Sequence, residues 1–125
     1  MAKQTADTLG IDGAELTHVG TDDPADAQQV AKVAMIDNIA AKAEDVIGHV
    51  DAVLVATDKG EEHVARCRAF IDAGIPVFVD KPLCNNHHDL AVFSDWADQG
   101  KPFISSSAMR FAKEFAPWLL YTSPS

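Results

Sequence analysis

Positive charge is scarce in this chain. Ten lysines and arginines stand against 19 aspartates and glutamates, giving a formal net charge of −9 and an isoelectric point near 4.7. A surface of that sign argues against nucleic acid or anionic membrane as the main partner. Cysteine is nearly absent, and Cys67 and Cys84 form neither a C-x-x-C pair nor a metal-ligand spacing. Two reduced thiols and no metal site are therefore expected. No apolar run approaches the ~20 residues that a membrane span requires. The opening Met1-Ala2-Lys3-Gln4-Thr5 lacks the apolar centre of a secretory signal, so the expected compartment is the cytoplasm. Ser105-Ser106-Ser107 sits in no G-x-S-x-G elbow, which leaves it without the setting of a nucleophile. His87 and His88 diverge as neighbours on a helix and have no third ligand nearby in sequence. No internal repeat or low-complexity tract interrupts the chain.

What remains is the pattern of a globular α/β protein. At 125 residues, 47% apolar, with seven glycines and six prolines, the chain has the size and composition of one domain. Strand-like and helix-like segments alternate. A strand is expected over residues 14–19, followed by a helix opened by Asp22, Asp23 and Pro24. Ala27, Val30, Ala31, Ala34 and Met35 recur along it at helical spacing. A short acidic turn over 43–48 leads into a second strand over 50–57. A helix over 61–73 presents Val64, Cys67 and Ile71 on one face and stops at Gly74. A strand over 76–79, a helix over 86–99 with Leu90, Phe93 and Ala97 inward, and a last strand over 102–105 complete the series. This alternation predicts a doubly wound parallel sheet with helices on both faces. The stretch from Pro117 to Ser125 breaks the pattern and looks like translated adaptor sequence. The expected domain is therefore residues 1–116.

The segment richest in chemistry is Ile75-Pro76-Val77-Phe78-Val79-Asp80-Lys81-Pro82-Leu83. Its apolar run without alternation reads as a strand covered on both faces of a parallel sheet. It ends in an acid, a lysine and a proline, at the carboxyl edge where open α/β folds bind ligands. Pro82 ends the strand and restricts the backbone of Lys81.

Four motifs in order carry a resemblance to a known family: Val50-Asp51-Ala52-Val53-Leu54-Val55-Ala56-Thr57, then His63, then Asp80-Lys81-Pro82-Leu83, then Ala108-Met109-Arg110-Phe111. Together they resemble the amino-terminal domain of the Gfo/Idh/MocA NAD(P)-dependent oxidoreductases, over roughly residues 14–115. The resemblance implies a Rossmann-like fold, NAD or NADP as cofactor, and a sugar, polyol or similar small molecule as substrate. It also implies a homo-oligomeric full-length form. It gives Lys81 the place of the family's E-K-P lysine, beside the nicotinamide ribose, where it supports hydride transfer. Asp80 stands where the family usually has Glu, and Pro82 completes the motif. Ala56 and Thr57 match the strand end that passes the cofactor's phosphates and ribose, His63 the histidine that opens the next helix, and Arg110 the arginine of the last strand; the resemblance makes all four, with Asp80, Lys81 and Pro82, cofactor-binding residues. The acid that grips the adenosine ribose corresponds to Asp22, or to Thr21 if the register lies one residue earlier. A threonine there would relax the preference for NAD over NADP.

Two departures stand beside the likeness. The family's G-x-G-x-x-G turn is absent, and so is its second domain, so the expected fold is an incomplete Rossmann sheet lacking the first strand and its glycine-rich turn. Such a piece is expected to be inactive alone. Lys81 would act as a fixed positive charge, assisting proton movement if burial lowers its pKa. The same elements serve a nucleotide-binding sensor without catalysis. A receiver-type domain fits less well, because its acids should converge near one strand.

Overall fold

The computed structural model describes residues 13–107. The chain divides between Asp51 and Ala52 into two compact units.

In the first unit, β1 (His18–Val19), α1 (Pro24–Ala34) and β2 (Asn38–Ile39) form a strand–helix–strand crossover, followed by a 3-10 turn over Ala43–Val46. The two strands are parallel, His18 opposite Asn38 and Val19 opposite Ile39. The start of α1 follows the sequence closely. Asp23 adopts an extended backbone and its Oδ1 accepts from the Ala25 amide at 2.8 Å, with Pro24 in the first turn. The end is unusual: Met35 takes the left-handed conformation at φ 57°, and the Ile36 amide donates back to the Ala31 carbonyl at 2.8 Å. Only Ala27 and Ala31 of the helix are buried, and Ile36 just beyond it is buried as well. Val30 and Met35, expected inward, are 44% and 56% exposed. The expected strand over 14–19 narrows to its last two residues.

In the second unit, β3 (Val53–Val55), a 3-10 turn (Gly60–Glu62), α2 (His63–Asp72), β4 (Val77–Val79), α3 (His87–Asp98) and β5 (Phe103–Ser105) follow in order. The sheet order is β3-β4-β5, all parallel, and Val55, Val79 and Ser105 stand level across it. Both helices stop at a glycine with positive φ, Gly74 at 74° and Gly100 at 71°. The next amide then reaches back across the last turn, Ile75 to Phe70 and Lys101 to Trp96.

The core of this unit gathers Val55, Cys67, Phe70, Ile71, Val77, Val79, Phe93 and Trp96. Phe93 meets Trp96 edge-on at 5.3 Å and Phe103 at 5.4 Å. The inward face of α3 is Asp89, Phe93 and Trp96, not the expected Leu90, Phe93 and Ala97; Leu90 is 47% exposed. The opposite face of the sheet carries Leu54, Phe78 and Ile104 in one level row, with Leu54 and Ile104 about three-fifths exposed. These elements form the parallel-sheet α/β arrangement expected of a Rossmann-like fold.

Candidate functional site

The strands of the second unit are parallel and level, so the residues that follow them fall along one edge. These are Ala56-Thr57 after β3, Asp80-Lys81-Pro82 after β4, and Ser106-Ser107 after β5. The Asp80 amide continues the ladder by donating to the Val55 carbonyl at 2.9 Å, which fixes where the strand ends. Beyond it Asp80 Oδ1 accepts from the Lys81 amide at 2.8 Å, and the Lys81–Pro82 peptide is cis. Lys81 is exposed, and its ammonium forms no ion pair with another described residue. Ala56 is exposed, and its small side chain leaves the backbone approachable from the edge.

His63 is placed differently from an edge residue. It is fully buried at the start of α2. Its Nδ1 lies 3.0 Å from the Leu83 carbonyl oxygen, and its Nε2 lies 2.8 Å from the Thr57 carbonyl oxygen and 3.1 Å from the Thr57 hydroxyl. A carbonyl oxygen only accepts, and only one ring nitrogen of a neutral imidazole carries a proton. The tautomer that pairs both sides has Nδ1–H donating to Leu83 and the Thr57 hydroxyl donating to Nε2. The Thr57 hydroxyl is thereby engaged inside the protein. Gly60 is buried one turn earlier, where an added Cβ would lie 3.1 Å from the Cys84 carbonyl carbon and 3.2 Å from Pro82 Cγ. Asn85 Nδ2 donates to Glu61 Oε2 at 2.8 Å. Sequence reasoning did not single out Gly60, Glu61 or Asn85, and quoted Leu83 only as the end of the Asp80-Lys81-Pro82-Leu83 motif.

Electrostatics around this edge are simple. A hydrogen bond from Arg66, one turn along α2, holds the Glu62 carboxyl below its ordinary range, with Lys59 adding to the effect. Cys67 lies in the core, and burial pushes its thiol up to about 12. Cys84 is half-buried, and both cysteines are free. Among the described residues no group of His, Cys, Asp and Glu is arranged to hold a metal ion, and no helix is long and apolar enough to cross a membrane.

In the first unit, Thr21 and Asp22 follow the carboxyl end of β1 and are exposed, and the Thr21 hydroxyl donates to the Asp23 carbonyl. Arg110 lies outside the described residues.

Residues 2–103 match a family described as an oxidoreductase family with an NAD-binding Rossmann fold, Gfo/Idh/MocA. The chain belongs to that family. Among curated proteins nothing matches. Among solved structures, a probable dehydrogenase from Thermotoga maritima aligns at 19% identity and TM-score 0.76, over 95% of this chain and 37% of its own. An apo scyllo-inositol dehydrogenase from Lactobacillus casei aligns at 21% identity and TM-score 0.74, over 94% of this chain and 36% of its own. An oxidoreductase from Agrobacterium radiobacter, solved with NAD+, L-tartaric acid and magnesium, aligns at 17% identity and TM-score 0.76, over 91% and 34%. The likeness at these identities is one of fold. The Gfo/Idh/MocA chain described here spans little more than a third of the length of those structures.

Whether the described residues suit such a cofactor can be judged from the edge itself. Asp80 and Lys81 follow one another at the end of the central strand, a carboxylate and an ammonium, with Ala56 at the end of the neighbouring strand. A carboxylate that accepts and an ammonium that donates suit the vicinal hydroxyls of a ribose.

Proposed function

We propose that this chain is the nucleotide-binding part of an enzyme that transfers a hydride between NAD or NADP and a hydroxyl-bearing carbon of a sugar, polyol or similar small substrate. The observation that carries the proposal is that Asp80 and Lys81 stand in succession at the carboxyl end of the central strand of β3-β4-β5. Ligands of open α/β sheets gather at that edge. The cofactor, when bound, supplies or receives the hydride. Lys81 acts as a charged hydrogen-bond donor that holds the substrate's carbonyl oxygen and delivers its proton as the carbon is reduced. A positioned proton donor of this kind contributes roughly 10²–10⁴-fold to rate. Asp80, Pro82, Ala56 and Thr57 shape the cofactor's seat, Thr57 through its backbone because its hydroxyl is committed to His63. Thr21 or Asp22 takes the adenosine ribose, a threonine there loosening the preference for NAD. Arg110 and a homo-oligomeric state belong to the reading on the family resemblance alone. Two free thiols are consistent with the reducing conditions of the cytoplasm.

The test is Lys81→Ala in the full-length protein, assayed for NAD(P)-dependent turnover on a panel of polyols and sugars. Turnover should fall by about 10²-fold or more, with the melting temperature unchanged because Lys81 is exposed. Turnover near that of the unaltered protein would remove Lys81 from the chemistry. Dinucleotide binding with no turnover on any substrate would favour a sensor.

A further inference from the structure

Three contacts join the segment after β3 to the segment after β4, and all lie within the second unit. His63 joins the two segments through its ring nitrogens, Nδ1 donating to the Leu83 carbonyl and Nε2 accepting from the Thr57 hydroxyl. Gly60 lies so close to Pro82 and Cys84 that an added Cβ would press to within 3.1–3.2 Å of them. Glu61 holds Asn85 across the same gap at 2.8 Å. The second segment carries Lys81 immediately before the clamped residues Pro82 to Asn85. Lys81 itself is exposed, and among the described residues its ammonium has no ion-pair partner to fix it. Its position is therefore set by its backbone.

We propose that His63 and Gly60 are positioning residues for Lys81: a buried clamp that holds the Lys81–Pro82 segment at a fixed distance from the end of β3. The inference rests on the oxidoreductase reading above, and it departs from the expectation that His63 itself meets the cofactor. A fully buried imidazole with both nitrogens committed to the protein has nothing left to offer a ligand. Its effect on chemistry passes through the backbone it holds. Displacements on the order of 1 Å at a reacting group can cost 10²-fold in rate, so a clamp accurate to tenths of an ångström is functionally consequential.

Two variants of the full-length protein test this. Gly60→Ala places a methyl group 3.1–3.2 Å from Cys84 and Pro82, so the second segment must move by a few tenths of an ångström. His63→Gln keeps hydrogen-bonding capacity but cannot reach the Leu83 carbonyl and the Thr57 hydroxyl in the same geometry. Each variant is measured for kcat and KM, alone and combined with Lys81→Ala, and for the labelling rate of Cys84 by a thiol reagent, read peptide by peptide by mass spectrometry. The buried Cys67 serves as the internal control. The clamp predicts a kcat lowered 5- to 50-fold in either variant, faster labelling of Cys84 and unchanged labelling of Cys67. It also predicts that neither substitution lowers kcat further once Lys81 is already alanine, because coupled residues are not additive. A merely structural role would instead give additive losses and comparable labelling gains at both cysteines, and that result overturns the inference. Should His63→Gln fail to fold, Gly60→Ala alone decides. Unchanged kcat and Cys84 labelling in Gly60→Ala overturns the clamp while Lys81→Ala remains inactive. Full turnover in Lys81→Ala would instead strike the oxidoreductase reading itself.

Discussion

Asn86 offers the sharpest test of how the second unit holds together, because one side chain does two separable jobs. Its Oδ1 accepts from the Asp89 amide at 2.8 Å, capping α3, while its Nδ2 donates to the Asp89 carboxylate at 2.9 Å. Asp89 is only 9% exposed, so its carboxylate depends on that donor. Removing both functions with Asn86→Ala costs about 1 kcal/mol for the cap. It costs about 1–3 kcal/mol more for the stranded acceptor. The expected total is therefore roughly 2–4 kcal/mol by these two contributions. Asn86→Ser keeps a capping oxygen and loses the amide donor, so it should cost about 1–3 kcal/mol, less than alanine by about the value of the cap. Asn86→Asp keeps the cap but sets a second carboxylate beside Asp89, and should be worse than serine at pH 7 and recover as pH falls through the carboxylate range. Urea denaturation followed by fluorescence is a suitable assay, since Trp96 is buried on the same helix. A loss below ~0.5 kcal/mol for alanine would refute the reasoning, being less than the ordinary value of the cap alone. Serine and alanine losing equally would assign everything to the Asp89 carboxylate.

Other outcomes follow from single residues. Met35→Gly should raise stability by roughly 0.5–1 kcal/mol, since a left-handed side chain costs about 1–2 kcal/mol and the freer unfolded glycine returns only part of it. Little burial is lost because Met35 is 56% exposed. A lower urea midpoint would contradict this. Burial pushes the Cys67 thiol from 9.0 up to about 12, so the unfolded chain releases this proton first as pH rises. Stability should then decline between pH 9 and 12, and the decline should be shallower in Cys67→Ala; equal slopes in melting temperature against pH would show that the thiol contributes nothing.

Much of this structure was legible in the residues, and the exceptions have physical causes. The parallel alternation and the position of Lys81 followed from apolar runs that end in charged residues and proline. The strand Asn38–Ile39 was not legible, because two exposed residues after Asp37 carry no periodicity. The inward face of α3 was misjudged because Asp89 counts as polar in any pattern, yet the capping exchange with Asn86 lets it be buried. Val30 and Met35 read as core because spacing reveals a stripe but not how much of it the neighbouring strands can cover. The clamp around His63 was invisible for a different reason. It depends on the Leu83 carbonyl 20 residues away, and no side-chain motif announces where a carbonyl points.

The level row of Leu54, Phe78 and Ile104 bears on how the chain behaves at the bench. A net charge of −9 keeps separate copies apart while the buffer is dilute. At an ionic strength near 0.15 M that repulsion reaches only about 8 Å, whereas the attraction between oily surfaces persists. Storage in dilute buffer and storage in saline are thus different colloidal regimes for the same polypeptide. Turbidity should track the salt before it tracks the temperature.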